Sequence, residues 1–576
     1  MAKRYRPVLR DQPFLLPPDM REWLPAGHPV HLVIAVVEDH LDTSAFHAGR
    51  RAGGAGAAGY DPDMMVTLLV WAYAHGVTSS RRIEELCGTD VAFRLICGGN
   101  RPDHASVARF RAASGGAAGE FFAQVLVLCA ELGMGRLGVV ALDGTKVAAS
   151  ASKSANRTRE RLRELAGQAA AAHAAADAAE DALFGQAAGD EVPEDAWRAG
   201  RRGERIAAAL ASLDAEAAAA DAARQAKAEE YVEAARAGTP RAGHQPAEAG
   251  AELAELALAR KIAAQQARID AWHARQAARA AAGRKRQPGP PPADPAGYCR
   301  VKEAAAQVTR ARARAAAAAQ QQEQQQEQER KDRNRKGPGP VRNITDPHSR
   351  LMPVRGGGFI QGYNAQNVTS SDGLIIATAL TASTTDAPWF EPMLRKAEDA
   401  AALITAHHPA TPGTATPGTP AADDSSGDSQ PGPDAAPRYA GPIGLILADA
   451  GYCSEANLTC PGPDRLIATG KHRDLEKAAR DPAAASTPAA GHATRAMTER
   501  LRTEDGITAY RQRGHIAETP HGHIKHNMRF RQLSVRGTPR ATAEWTFTVT
   551  VHNLLKAITT GHLTPDTLTT LTTRPA

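Results

Sequence analysis

The sequence predicts an α/β protein whose mixed sheet is interrupted by a long helical insertion and preceded by an all-α N-terminal domain. Three observations lead there. Helical spacing accounts for the first 135 or so residues. Short apolar strand patterns then start at Gly138, break off, and return only after Pro338, and the stretch between them is dominated by the helix formers Ala, Glu, Gln and Arg. At roughly 150 residues per domain, 576 residues allow three or four such units.

The N-terminal domain is placed at 1–135. In YDPDMMVTLLVWAYAHG, Met64, Met65, Leu68, Leu69 and Ala72 recur every three or four residues, with Asp61 positioned to cap and Pro62 in the first helical position. A short helix fits Ser79 to Cys87. Another starts in RPDHASVARFRAA, where Asp103 can cap and Arg109 and Arg111 project from later turns. Residues 136–152 supply a first strand of the next domain: VVALDGTKVAAS reads as a buried strand, Val139 to Leu142, ending on Asp143.

The insertion is placed at 153–340. Leu258, Ile262, Ile269 and Trp272 fall on one helical face, which predicts long helices. QQQEQQQEQER at 320–330 offers too few large apolar residues to bury, so part of the insertion is expected to be disordered. Its charges alternate in sign, the pattern of a solvated surface.

The sheet domain resumes over 341–560. Phe359 to Val368 and Leu374 to Leu380, joined at Ser370 to Gly373, form a hairpin pattern. The helix APWFEPMLRKAEDAAALITAHH follows, then a buried strand from Ile443 to Ala448 ending on Asp449, a short strand in RLIATGK, and helical spacing from Arg513 to Leu555. Segments 409–439 and 478–497 read as flexible loops, and 561–576 as a tail.

Six Cys without tight, even spacing do not suggest a disulfide scaffold, and Cys453 and Cys460 read as buried thiols rather than a zinc pair. The first residues have no apolar run of the signal-peptide kind, and no stretch approaches the roughly 18 apolar residues of a membrane span, so a cytoplasmic protein without a membrane partner is expected. A net charge of +6 is too small to name a nucleic-acid partner by itself.

Three carboxylates stand out by position. Asp143 and Asp449 end apolar strands and lie just before a Gly, and strand ends are where α/β sheets gather ligands. Glu518 lies in HIAETPHGHIKHNMRFRQL, with Lys525 two helical turns away on its face. Carboxylates so gathered suit hard cations such as Mg²⁺. Lys146, Arg513, Lys525, His526 and Arg529, with Tyr510, would then meet substrate phosphates. A strand-terminal Asp-Gly is also a common turn, and that reading stays open for either Asp alone. His521, His523 and His526 do not share one helical face and read as non-ligands. Trp545, Phe547, Val551, Leu554 and Leu555 read as core; Asn364 and Asn367 are placed on a strand beside Asp143.

RPDHASVARFR, ALDGTKVAAS, GGFIQGYNAQNVTSSDGLIIA, LADAGYCSEANL and IAETPHGHIKHNMRFRQLSVRGTPRATAEWTFTVTVHNLLK, in that order, resemble the DDE transposases of bacterial insertion sequences. The resemblance implies a ribonuclease-H-like catalytic domain in which Asp143, Asp449 and Glu518 hold two Mg²⁺ ions, or Mn²⁺ in their place. It also implies an N-terminal domain that binds terminal inverted repeats, with Arg109 and Arg111 as DNA contacts, and Tyr510, Arg513, Glu518 and Lys525 as the signature around the Glu. The Arg513 to Glu518 interval is one residue longer than the family's, and Thr519 and His521 replace apolar residues. Cleavage of the element's ends, joining of 3′ ends to target DNA, a homodimer in the end complex and a nucleoid-associated location follow from the same resemblance. A nuclease of the same fold without strand transfer, and a DNA-binding protein without catalysis, remain as alternatives.

Overall fold

Asp61 accepts the Asp63 amide hydrogen and Pro62 opens the helix Pro62–Ala74 in the computed structural model, which describes residues 19–47, 59–169, 171, 194–239, 245–286, 289–331, 340–354, 357–409, 441–470 and 491–571, the side chains of 194–201 and 318–331 excepted. Val66, Val70, Trp71 and Tyr73 are buried in this helix along with the expected Met65, Leu68, Leu69 and Ala72, so it is enclosed on most sides. Helices Ser80–Thr89 and His104–Ala113 follow, the second capped by Asp103, which accepts from the Ser106 amide at 2.9 Å. The chain packs as two compact units, residues 1–155 with 345–576, and Asn156–Ile344. In the first unit one apolar core runs from Val30 and Leu68 through Val140 and Val368 to Val549 and Leu554, so the N-terminal helices and the sheet share their interior.

Among the described residues eight strands are formed: β1 Val139–Ala148, β2 Asn156–Thr158, β3 Val341–Asn343, β4 Arg350–Pro353, β5 Phe359–Ser370, β6 Ile375–Thr381, β7 Leu445–Ala448 and β8 Asp464–Ile467. The main sheet has the order β4-β5-β1-β7-β8, with β6 also on β5. It is mixed, because β1 runs antiparallel to β5 and parallel to β7. The first strand is longer than the pattern Val139 to Leu142 predicted. Pairing with β5 continues to Ala148 opposite Gly362, so Asp143 lies inside the strand, whereas Asp449 does follow the last residue of β7. Helix Phe390–His407 lies after β6 as expected, and helix Thr538–Thr559 buries Trp545, Phe547, Val551 and Leu554. The helical spacing from Arg513 to Leu555 is broken between Met528 and Gly537, where the chain turns back along β1 and Leu533 donates to the Ala148 carbonyl.

The second unit contains the helices Glu194–Arg236, Gly250–Ala281 and Cys299–Lys331. Its own apolar clusters are small: Leu162, Ile206, Ala209 and Leu213 form one, Ala228, Val232 and Ala249 another. The face of Leu258, Ile262, Ile269 and Trp272 is not buried as its spacing suggested. Ile262 is 40% exposed and Gln265 is the buried residue of that helix, donating to the Ala293 carbonyl at 2.6 Å. The loop expected at 409–439 lies outside the described residues except for Pro409, and that at 478–497 does so up to 490. From 491 the expectation of a loop fails. His492–Arg500 is a helix because the Glu455 carboxylate accepts its first amides, Ala493 at 3.1 Å and Thr494 at 2.9 Å. The expected tail is anchored too, with Leu563 and Leu571 in the core.

Candidate active site

Asp143 stands opposite Asn367 of β5, and its neighbour Leu142 pairs with Ala448, so the two aspartates that the sequence singled out lie side by side at the β1/β7 junction. Helix Glu504–Arg513 brings Arg513 over them, its Nη2 2.9 Å from Asp143 Oδ1 and 3.8 Å from Asp449 Oδ2. The guanidinium is 10% exposed, the carboxylates 15% and 33%. Burial pushes the Asp143 carboxyl up, but the His521 ring, the Arg513 charge and the Gly144 amide outweigh it and hold the group below the ordinary carboxylate range. Asp449 goes the other way. Burial and the Asp143 charge raise it, against Arg513 and the Gly451 amide. The junction is thus an ionised carboxylate beside one that resists ionisation, with one cation between them.

Three residues expected to meet phosphates turn inward instead. Arg513 is committed to the aspartates. Tyr510 is buried, its hydroxyl donates to the Ala448 carbonyl at 3.2 Å, and burial pushes it up to about 12, so it braces the end of β7 from which Asp449 springs. Lys525 donates to the Thr145 hydroxyl and to the Lys146 carbonyl at 3.1 Å, pinning the helix to β1.

Glu518 is exposed, and its charge is among those that raise the Arg513 guanidinium. The reason lies in the backbone. Gly514–Glu518 and His523–Asn527 are π-helical, so the longer Arg513 to Glu518 interval sits in a widened turn and the two-turn count from Glu518 to Lys525 no longer marks a common face. His521, set aside as a bystander, is the residue turned to Asp143: its Nδ1 is 3.7 Å from Oδ2. Thr378 donates to Asn367 Oδ1 at 2.6 Å, which leaves Asn367 Nδ2 to face His521 Nε2 at 3.1 Å and assigns the ring proton to Nδ1, on the Asp143 side. His523 pairs instead with His552, and His526 is exposed.

On the other face of β1, Lys146 reaches to 3.8 Å from Asp386, a carboxylate the sequence reading passed over because it ends no recognisable strand motif. In the N-terminal helices Arg109 is exposed, as a DNA contact requires. Arg111 is corrected: it is 11% exposed, donates to Ser534 at 2.7 Å and Ser80 at 3.1 Å, and lies 3.9 Å from the buried Glu544. Arg529, exposed and with a positive φ of 52°, borders a cleft of about 580 Å³ with His28, Trp71, His75 and Arg82. Among the described residues, His47, Asp61 and Asp63 bring ligand atoms within 4.8 Å of one another, but Asp61 caps a helix and Asp63 takes the Thr43 hydroxyl and the His47 ring.

The hard oxygens of Asp143 and Asp449, arranged about a positive charge, fit a divalent cation such as Mg²⁺. Two family models match the chain in order: Transposase domain (DUF772) over residues 18–113, and Transposase DDE domain over residues 476–558. The two matches together support a DDE transposase family. The first match covers the helices around Tyr73 and Arg109, and the second covers Tyr510, Arg513, Glu518 and Lys525. No curated protein and no solved structure matches it. Among the described residues of the transposase, no single helix is long and apolar enough to cross a membrane.

Proposed function

We propose that this insertion-sequence-type transposase binds the terminal inverted repeats of its element, cleaves the DNA ends and joins the 3′ ends to target DNA, through a ribonuclease-H-like domain. The observation that carries the reading is the pairing of Asp143 and Asp449 across β1 and β7 under a buried arginine. The strand order, with three antiparallel strands on one side of β1 and parallel β7 and β8 on the other, agrees with such a domain.

The carboxylate oxygens of Asp143 and Asp449 would hold the divalent cations, which when bound would supply Lewis acidity for displacement at phosphorus. The chain's own residues prepare the site. His521 and Arg513 fix the Asp143 carboxylate in its ionised form, Tyr510 tethers the strand end before Asp449, and Lys525 locks the overlying helix to Thr145. Arg109 and Arg529 are exposed and offer their charge to DNA phosphates, and His526 presents an exposed ring that can donate a hydrogen bond.

Asp143→Asn or Asp449→Asn abolishes strand cleavage and leaves inverted-repeat binding in a gel-shift assay intact; undiminished cleavage by purified Asp143→Asn protein defeats the assignment. Strand transfer from precut ends distinguishes a transposase from a nuclease of the same fold. The exposure of Glu518 favours one other reading, a copy that binds ends without cutting, for which wild-type chain shows binding and no cation-dependent cleavage.

A further inference from the structure

Gly144 and Lys146 stand opposite Gln366 and Asn364 on one face of β1 and β5. Asp386, between β6 and the helix Phe390–His407, lies over them. It accepts from Asn364 Nδ2 at 2.6 Å and Gln366 Nε2 at 2.7 Å, and Gln366 Oε1 accepts from the Tyr452 hydroxyl. Helix capping does not explain Asp386, since its side chain makes no capping hydrogen bond to the turn Ala387–Trp389.

One acceptor in this cluster is left over. Asn364 is fully buried, and its Oδ1 has no hydrogen-bond partner. An orphaned buried oxygen is costly, so a partner is called for. Asn364 Oδ1 lies 3.1 Å, and Asp386 Oδ1 2.8 Å, from the point a Cβ on Gly144 would occupy. Asp386 Oδ2 and Asp449 Oδ1 lie 3.1 and 3.0 Å from the corresponding point on Gly451. The Asp386 carboxylate thus stands between the two glycines, with Oδ1 beside the neutral Asn364 oxygen near Gly144 and Oδ2 beside the Asp449 carboxylate near Gly451. Gln366 Nε2, 2.7 Å from the Gly144 point, is already spent on Asp386 Oδ1, and the oxygens that remain are hard donors, the kind that suits Mg²⁺ or Mn²⁺. The positive charge nearest Asp386, Lys146 Nζ, stays at 3.8 Å, beyond a hydrogen bond.

We propose that Asp386 is a divalent-cation ligand of this transposase, shared with Asp449 and completed by Asn364 Oδ1, in addition to the acids that the sequence singled out. The proposal rests on the reading of Asp143 and Asp449 as metal ligands, and metal binding tests it apart from activity. Full-length wild type, Asp386→Asn, Asn364→Ser, Asp143→Asn and Asp449→Asn are titrated with Mn²⁺ alone, free ion being followed by electron paramagnetic resonance and folding by thermal unfolding without metal. Asp386→Asn keeps an oxygen for the two amide donors, so the fold persists, while Mn²⁺ affinity falls about tenfold or more. Asn364→Ser, which removes the orphaned oxygen and leaves the carboxylates, lowers affinity as well. Wild-type affinity in Asp386→Asn or in Asn364→Ser, alongside lost binding in Asp143→Asn and Asp449→Asn, overturns the proposal and leaves the transposase reading standing. A wild-type chain that takes up no Mn²⁺ overturns both.

Discussion

Asp143 shows how a buried acid is kept charged. Its burial alone would favour the neutral form, and the neighbours that reverse this come from three separate elements: His521 and Arg513 from the overlying helices and the Gly144 amide from its own strand. His521 is oriented through Asn367, Thr378 and the Trp545 Nε1 that donates to Thr378 at 2.8 Å, so the ring angle is set by the core as much as by the site. Because Asp143 sits below the ordinary carboxylate range, its ionised form stabilises the fold above that range, and the contribution fades as pH falls through its folded value. His521→Gln removes the ring that does most to hold it down. The variant should be roughly 1–3 kcal/mol less stable near neutrality, and the gap from wild type should close as pH falls below the ordinary carboxylate range. Thermal unfolding at several pH values reads this directly, and a gap that stays constant with pH would show that His521 acts on packing alone.

At the scale of elements, what could be read from the sequence was whatever depended on local periodicity. The β5/β6 hairpin, the caps at Asp61 and Asp103 and the buried faces of Pro62–Ala74 and Thr538–Thr559 all follow from spacing and turn residues. The meeting of Asp143 with Asp449 was legible too, since two apolar strands ending or passing an acid pair naturally at one level of a sheet. The common face expected for Glu518 and Lys525 was not legible, because counting in steps of 3.6 assumes an unbroken α-helix, and two π-helical segments intervene. Arg111 was misplaced because one turn of helix does not reveal the helix packed against it. Its partner is Glu544, 433 positions later in number and 4% exposed, which also accepts from Tyr73 at 2.7 Å and the Ser534 amide at 2.8 Å. This network joins the N-terminal helices to Thr538–Thr559. Arg111→Leu leaves the buried Glu544 charge without its cation and should cost roughly 3–5 kcal/mol, whereas Arg109→Leu on the exposed side should stay within about 0.5 kcal/mol. Denaturant midpoints of the two variants compare them; equal shifts would mean that Arg111 is as solvated as its neighbour.

For the molecule as a whole, the insertion interrupts the sheet domain between β1 and β4, and the division into two units falls at Ala155/Asn156 and Ile344/Thr345. Its two ends are stitched together: Asn156 pairs with Asn343, Arg157 with Arg342 and Thr158 with Val341, antiparallel. The entry and exit of nearly two hundred residues are therefore held as close as the two arms of a hairpin, and closing them by a short connection demands little of the rest of the chain. The first unit keeps its own core from Val30 to Leu571 without drawing on the insertion's clusters around Leu162 and Val232. Replacing residues 159–340 by Asn-Gly, a two-residue turn suited to the Thr158–Val341 pair, should yield a monodisperse protein that still unfolds in one cooperative transition. Its Mn²⁺ affinity should remain that of the full chain, because Asp143, Asp386, Asp449 and Asn364 all lie in the first unit. A shortened chain that collapses into aggregates, or folds but loses the metal, would show that the insertion is part of the catalytic fold rather than a guest within it.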